Sequence, residues 1–212
     1  MLVPTRADSG GRMAATAVRF DSHCLSLPLA GVRDASDVAL AIPSRVGFLT
    51  VIVDPIGQGQ KALATGRKGA TVVRQTPGAE LVDLFGRMHL AVEGIGGVSL
   101  GVARIDAASG RVEFASVGRV YGAVVGTKGL RLLTPEPGVV GIGLIKTPMV
   151  SAVPWAAGDL LILAADGVVD AWDLAKVRGG FEDGFEEIAR RIGGYSARMP
   201  EEASLVLARE RH

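Results

Sequence analysis

The sequence predicts an α+β fold built on antiparallel β-sheets. Short apolar and β-branched runs follow one another with only tight turns between them, which favours antiparallel pairing over crossover connections. The helical-period segments are grouped and do not alternate with strands one for one. Twenty-nine glycines are dispersed without a fixed period among 48% hydrophobic residues, the pattern of many short strands and turns.

Residues 1–18 are small, polar and irregular and read as a flexible arm, which leaves residues 19–212 as one domain with no internal linker. Strands are expected over Cys24–Leu29, Val38–Ile42 and Phe48–Val53, with Pro43-Ser44 and Gly47 turning the last two into a hairpin. After Gly57-Gln58-Gly59 the period becomes helical. Residues 60–74 predict one helix, weakened in its middle by Gly66 and Gly69. Thr76-Pro77-Gly78 breaks it, and Leu81, Val82, Phe85, Met88, His89 and Val92 form the buried stripe of a second helix over Ala79–Glu93. His89 lies on that stripe as a packed histidine with a satisfied nitrogen. Val98–Ile105, Arg111–Val117 and Val120–Val125 then read as a β-meander turning at residues 106–110 and at Gly118. Strands near Leu130–Leu133, Met149–Val153 and Leu160–Ala164, a helix over Phe181–Ile192 and a strand over Ser204–Ala208 complete the chain.

Composition excludes several functions. A formal net charge of +1 argues against nucleic acid or an anionic membrane as the partner, since either favours a basic face. Aromatic residues are 5%, too few for base-stacking platforms. A protein or small-molecule partner fits better. The single cysteine, Cys24, excludes an intramolecular disulfide or a cysteine-based zinc cluster and reads as a small buried hydrophobe. Three scattered histidines make no metal cage. No apolar run is long enough to span a bilayer and no leader pattern opens the chain, so a cytoplasmic protein is expected.

Two segments share one design. The runs Phe48–Val53 and Leu160–Ala165 each end on an aspartate, Asp54 and Asp166, and then enter a turn. A carboxylate at the end of a buried strand is rigidly held while the next loop leaves room for a ligand. Either aspartate alone is an ordinary turn residue. Together they suit a hard cation such as Mg²⁺ or Mn²⁺. The cluster Gly57-Gln58-Gly59-Gln60-Lys61-Ala62 formally matches a dinucleotide fingerprint, but residues 63–93 look helical and supply no second parallel strand.

The order and spacing of these elements resemble the protein phosphatase 2C superfamily, and within it the bacterial stage II sporulation E and stress-regulator X branch. The family's Asp-Gly-x-Gly-His-Gly stands as Asp54-Pro55-Ile56-Gly57-Gln58-Gly59. Its upstream Gly-Asp is similar to Ser36-Asp37, seventeen positions earlier, and its Val-Gly-Asn to Val117-Gly118-Arg119. Its Thr-Asp-Gly is similar to Ala165-Asp166-Gly167, and its terminal acidic pair to Glu201-Glu202 before Ala203-Ser204. The resemblance covers residues 22–210.

That resemblance implies an αββα sandwich, two antiparallel sheets flanked by helical layers. It further implies a metal-dependent protein-serine/threonine phosphatase with two Mn²⁺ or Mg²⁺ ions. Asp54 would bridge both metals and the carbonyl of Pro55 would complete the first. Asp166 and Glu201 would hold the second, and Asp37 would sit beside them directly or through water. Asp54 and Asp166 would act in catalysis through a metal-bound water that attacks phosphorus. By analogy the substrate would be a phosphorylated STAS-domain regulator of a stressosome or anti-sigma pathway. The chain departs from the family at Pro55, Gln58, Gly96, Arg119 and Glu201; the last adds a methylene to an aspartate position, a shift of more than ~1 Å at a rigid site. The alternative is a catalytically impaired pseudophosphatase that binds phosphoproteins.

Overall fold

The structure is a computed structural model that describes residues 19–29, 31–45, 47–126, 129–144, 147–169, 184–189 and 202–211. The expected arm over 1–18 lies outside the described residues, as does half of the expected helix over 181–192, of which residues 185–189 are helical.

Among the described residues, ten strands form two five-stranded sheets. One has the order β1 (Phe20–Leu27), β10 (Ala203–Glu210), β9 (Leu160–Ala165), β6 (Val120–Gly126), β7 (Gly129–Leu133). The other runs β2 (Val38–Ser44), β3 (Gly47–Pro55), β4 (Val98–Asp106), β5 (Arg111–Val117), β8 (Ser151–Pro154). Every pairing between these strands is antiparallel. Gly57–Gly59 therefore does not belong to a βαβ unit, and the dinucleotide reading falls.

The central strands are buried on both faces, which is why they read as unbroken apolar runs. In β3, Phe48 and Ile52 face the opposite sheet, while Leu49, Val51 and Val53 face the helices α1 (Gly59–Gln75) and α2 (Leu81–Val92). In β9, Leu161 and Leu163 face inward between the sheets; Leu160 and Ile162 pack outward with Val168 of α3 (Asp166–Val169) and with Ile188 and Ala189. Helix thus covers the outer face of each sheet, and the αββα order is complete. His89 is buried on α2 and its Nδ1 accepts the Gly141 N–H at 3.2 Å, so it is a packing residue. Cys24 departs from its expected burial: it is exposed on the edge strand β1, although partial desolvation pushes its thiol up to about 11.

Helix α1 runs unbroken through Gly66 and Gly69 because tertiary packing needs small residues there. A Cβ at Gly66 would lie 2.2 Å from the Ser36 carbonyl oxygen, and one at Gly69 2.9 Å from Val53. Gly66 therefore lets the helix rest directly on the Ser36–Asp37 backbone. Gly66→Ala, ordinarily stabilising in a helix, is expected to cost about 2 kcal/mol by overpacking. A thermal melt should show a Tm lower by about 4–8 °C; an unchanged or higher Tm would refute this packing role.

The expected meander is corrected. β4 and β5 form a hairpin, but β6 leaves for the other sheet and β8 takes the place beside β5. The cause is the turn at Gly118, whose φ of 100° only glycine adopts without strain. The Glu136 backbone donates to the Ser116 carbonyl and accepts from the Gly118 N–H, both at 2.9 Å, occupying groups a continued ladder would have offered to β6. Ser116 Oγ then donates to the Val120 carbonyl at 2.6 Å. The chain is thereby thrown across the sandwich edge with Arg119 at the crossing.

Candidate functional site

Asp54, next to last in β3, and Asp166, which directly follows β9, stand at the ends of interior strands of their respective sheets and line one open cleft at the edge of the sandwich. Asp37, Pro55, Arg119 and Glu202 line the same cleft. Of the residues singled out from the sequence, Asp37, Asp54, Pro55 and Asp166 thus come together. Glu201 lies outside the described residues.

Each side chain is positioned by an identifiable element. Pro55 is the last residue of β3 and pairs with Val98, where its fixed φ is tolerated at a strand end. Asp54 stands opposite Ser99 in the β3–β4 register, and the Ser99 side chain hydrogen-bonds to it. Asp37 precedes β2 and receives a 2.7 Å hydrogen bond from Ser204 Oγ on β10. Glu202 closes the far side: its Oε2 accepts from the Ser36 N–H at 2.9 Å, Ser36 Oγ at 2.8 Å and the Asp37 N–H at 3.0 Å. Arg119 forms an ion pair with Asp166.

The electrostatics are those of anions crowded out of water. Asp37 and Asp54 are only 6% and 7% exposed. Burial pushes both carboxyl groups well above the ordinary range, and the charge of Asp54 adds to the rise at Asp37 as that of Asp166 does at Asp54. Hydrogen bonds from Ser204 and Ser99 offset only part of this. Asp54 Oδ2 is buried and has no hydrogen-bond partner among the described residues, and an orphaned anionic oxygen of this kind costs several times an ordinary hydrogen bond.

These residues fit a divalent cation. The donors are hard oxygens, the orphaned Asp54 oxygen lines the cleft, and the carboxylates repel one another without a cation among them. Among the described residues no three acidic, histidine or cysteine side chains close into a ligand cage. Mg²⁺ and ions like it do not require one, since one or two carboxylates suffice with water and substrate oxygens.

Sequence reasoning missed three participants. Glu202 stands two residues before Ser204, and the period-2 alternation of a strand puts both on the Asp37 side; that periodicity could have selected it. Ser99 was legible only through the β3–β4 register. Arg119 entered the sequence reading merely as a departure from a family pattern, whereas here it is the cation on Asp166. Among the described residues no helix is long and apolar enough to cross a membrane.

Comparison with known proteins agrees with this architecture. The family model described as Stage II sporulation protein E (SpoIIE) matches residues 44–210. No curated protein matches the chain. Among solved structures, one from work on the bacterial stressosome as a modular system controlling secondary messenger signalling superposes with a TM-score of 0.82 at 20% identity, covering 90% of this chain and 100% of that one. RsbX in complex with magnesium superposes at 0.77 and 16% identity, covering 92% and 98%. The PP2C phosphatase domain with a regulatory fragment of SpoIIE from Bacillus subtilis superposes at 0.78 and 17% identity, covering 92% and 63%. At these identities the structures establish a shared fold.

Proposed function

We propose, from the premise that the chain belongs to the stage II sporulation protein E family of the protein phosphatase 2C superfamily, that it is a divalent-metal-dependent serine/threonine protein phosphatase. The observation that carries the reading is the buried, unpartnered Oδ2 of Asp54 in a cleft shared with Asp37 and Asp166. Asp54 would be the central ligand, with the Pro55 carbonyl and Asp37 beside it; Asp166 lies across the same cleft, and Glu201 or its neighbour Glu202 would complete the acidic set. When bound, Mn²⁺ or Mg²⁺ supplies Lewis-acid charge neutralisation and activates water at neutral pH.

The chain's own residues do the rest. Ser99 and Ser204 orient the carboxylates through hydrogen bonds. Glu202 fixes the Ser36–Asp37 backbone against β10. The cleft opens at the sandwich edge, where a phosphoserine or phosphothreonine on a protein surface can reach it. The substrate proposed is a phosphorylated STAS-domain regulator in the cytoplasm, by analogy with the family branch.

The test is Mn²⁺-dependent phosphate release, first from p-nitrophenyl phosphate and then from a phosphorylated STAS protein. Release that requires the metal and is abolished by a chelator is expected. A folded protein that releases no phosphate at any Mn²⁺ concentration overturns the enzyme. One observation favours a second reading: the guanidinium of Arg119 on Asp166 is also what a phosphoprotein-binding pseudophosphatase would use. That reading predicts phosphoprotein binding that persists unchanged without metal.

A further inference from the structure

Asp54 and Asp166, the two carboxylates at the ends of the interior strands β3 and β9, already share a cation. Arg119 is ion-paired to Asp166, and its positive charge also acts on Asp54. Its place is fixed by the backbone. The residue before it sits in the glycine-only turn with its N–H bound to the Glu136 carbonyl, and the carbonyl of the residue after it accepts from Ser116 Oγ. The Arg119 side chain remains 56% exposed, so only part of its fork of donors is engaged. A guanidinium stays charged throughout the accessible pH range, so a carboxylate held this way does not lose its partner.

The opposite side of the cleft is different. Asp37, Asp54 and Glu202 meet there; Asp37 and Glu202 accept hydrogen bonds, while the Asp54 Oδ2 has no partner among the described residues. Among the described residues, four carboxylates line the cleft against one guanidinium, leaving a charge deficit that one divalent ion would reduce and a carboxylate, Asp166, already occupied.

We infer that Arg119 is the resident second cation of this centre, so that the protein takes up one divalent ion, on the Asp37–Asp54 side, and not two. The inference rests on the phosphatase reading for the presence of a metal site, but it concerns the number of ions and the residue that sets it. Arg119 would keep Asp166 out of the ligand set, and removing its charge would let that carboxylate complete a second site.

Equilibrium dialysis against Mn²⁺ with metal analysis, paired with electron paramagnetic resonance, tests this on the full chain. One ion per chain and an uncoupled Mn²⁺ spectrum are expected for the unaltered protein. Arg119→Asn should bind two ions with an exchange-coupled spectrum, while Arg119→Lys, which keeps the charge, should stay at one. Two ions in the unaltered protein, or one ion in Arg119→Asn, overturn the inference and leave the phosphatase reading standing where phosphate release is metal-dependent. No bound ion in any variant, together with no phosphate release, removes the phosphatase reading and this inference with it. Thermal melts of both variants confirm that the compared proteins are folded.

Discussion

Asp54→Asn should abolish Mn²⁺-dependent phosphate release while making the metal-free protein more stable. The two effects have one cause. Asp54 is buried, unsatisfied at Oδ2 and surrounded by like charges, so its ionised form is costly unless a cation is bound. Asparagine removes the charge and gives the buried position an N–H donor beside Asp37. The metal-free variant should gain about 1–3 kcal/mol, read as a higher Tm. The gap should widen with pH. Both carboxyl groups hold protons above the range at which the unfolded chain releases them, so metal-free stability falls as pH rises past about 4, and one source of that fall is gone in the variant. Mn²⁺ should raise the Tm of the unaltered protein by mass action and leave that of Asp54→Asn nearly unmoved. Activity should drop at least about a hundredfold. A variant that is less stable without metal, or one that keeps metal-dependent turnover, would refute the role assigned to Asp54.

Glu202→Ala should show the opposite balance. Its carboxylate satisfies two backbone N–H groups and the Ser36 hydroxyl. Removing it relieves some repulsion on Asp37, whose carboxyl group the Glu202 charge helps to raise. The lost acceptor wins, because two of the three donors belong to backbone that cannot turn elsewhere. A loss of about 2–4 kcal/mol is expected, together with weaker Mn²⁺ binding as the Ser36–Asp37 segment loosens. Glu202→Gln keeps an acceptor oxygen and should lose much less stability. Equal melting temperatures for the two variants would show that the hydrogen bonds are not what fixes this segment.

Much of this site was legible before any coordinates. Phe48–Val53 and Leu160–Ala165 are apolar on both faces because each lies in the interior of its sheet, and an aspartate following such a run stands out. The hairpin of β2 and β3, both long helices and the β10 strand follow from period and turn residues. What escaped was set by partners distant in sequence. Gly66 looked like a flaw in α1 because nothing in its neighbours announces the Ser36 carbonyl against it. The strands on either side of Gly118 looked like one sheet because the competing hydrogen bonds come from Glu136. Glu201 was singled out and Glu202 passed over because the partners of Glu202, the Ser36 and Asp37 N–H groups, lie 166 and 165 positions away.

The contacts between Glu202 and the Ser36–Asp37 segment join residues 165 and 166 positions apart. Such contacts are entropically expensive to close and form late, and sandwiches dominated by them fold slowly. The acidic cleft therefore cannot exist in a partly assembled chain: until β10 docks between β1 and β9, Asp37 is an ordinary solvated carboxylate. Metal uptake should lag behind secondary structure during refolding. The dead time between the two signals would time the last event in the construction of the domain.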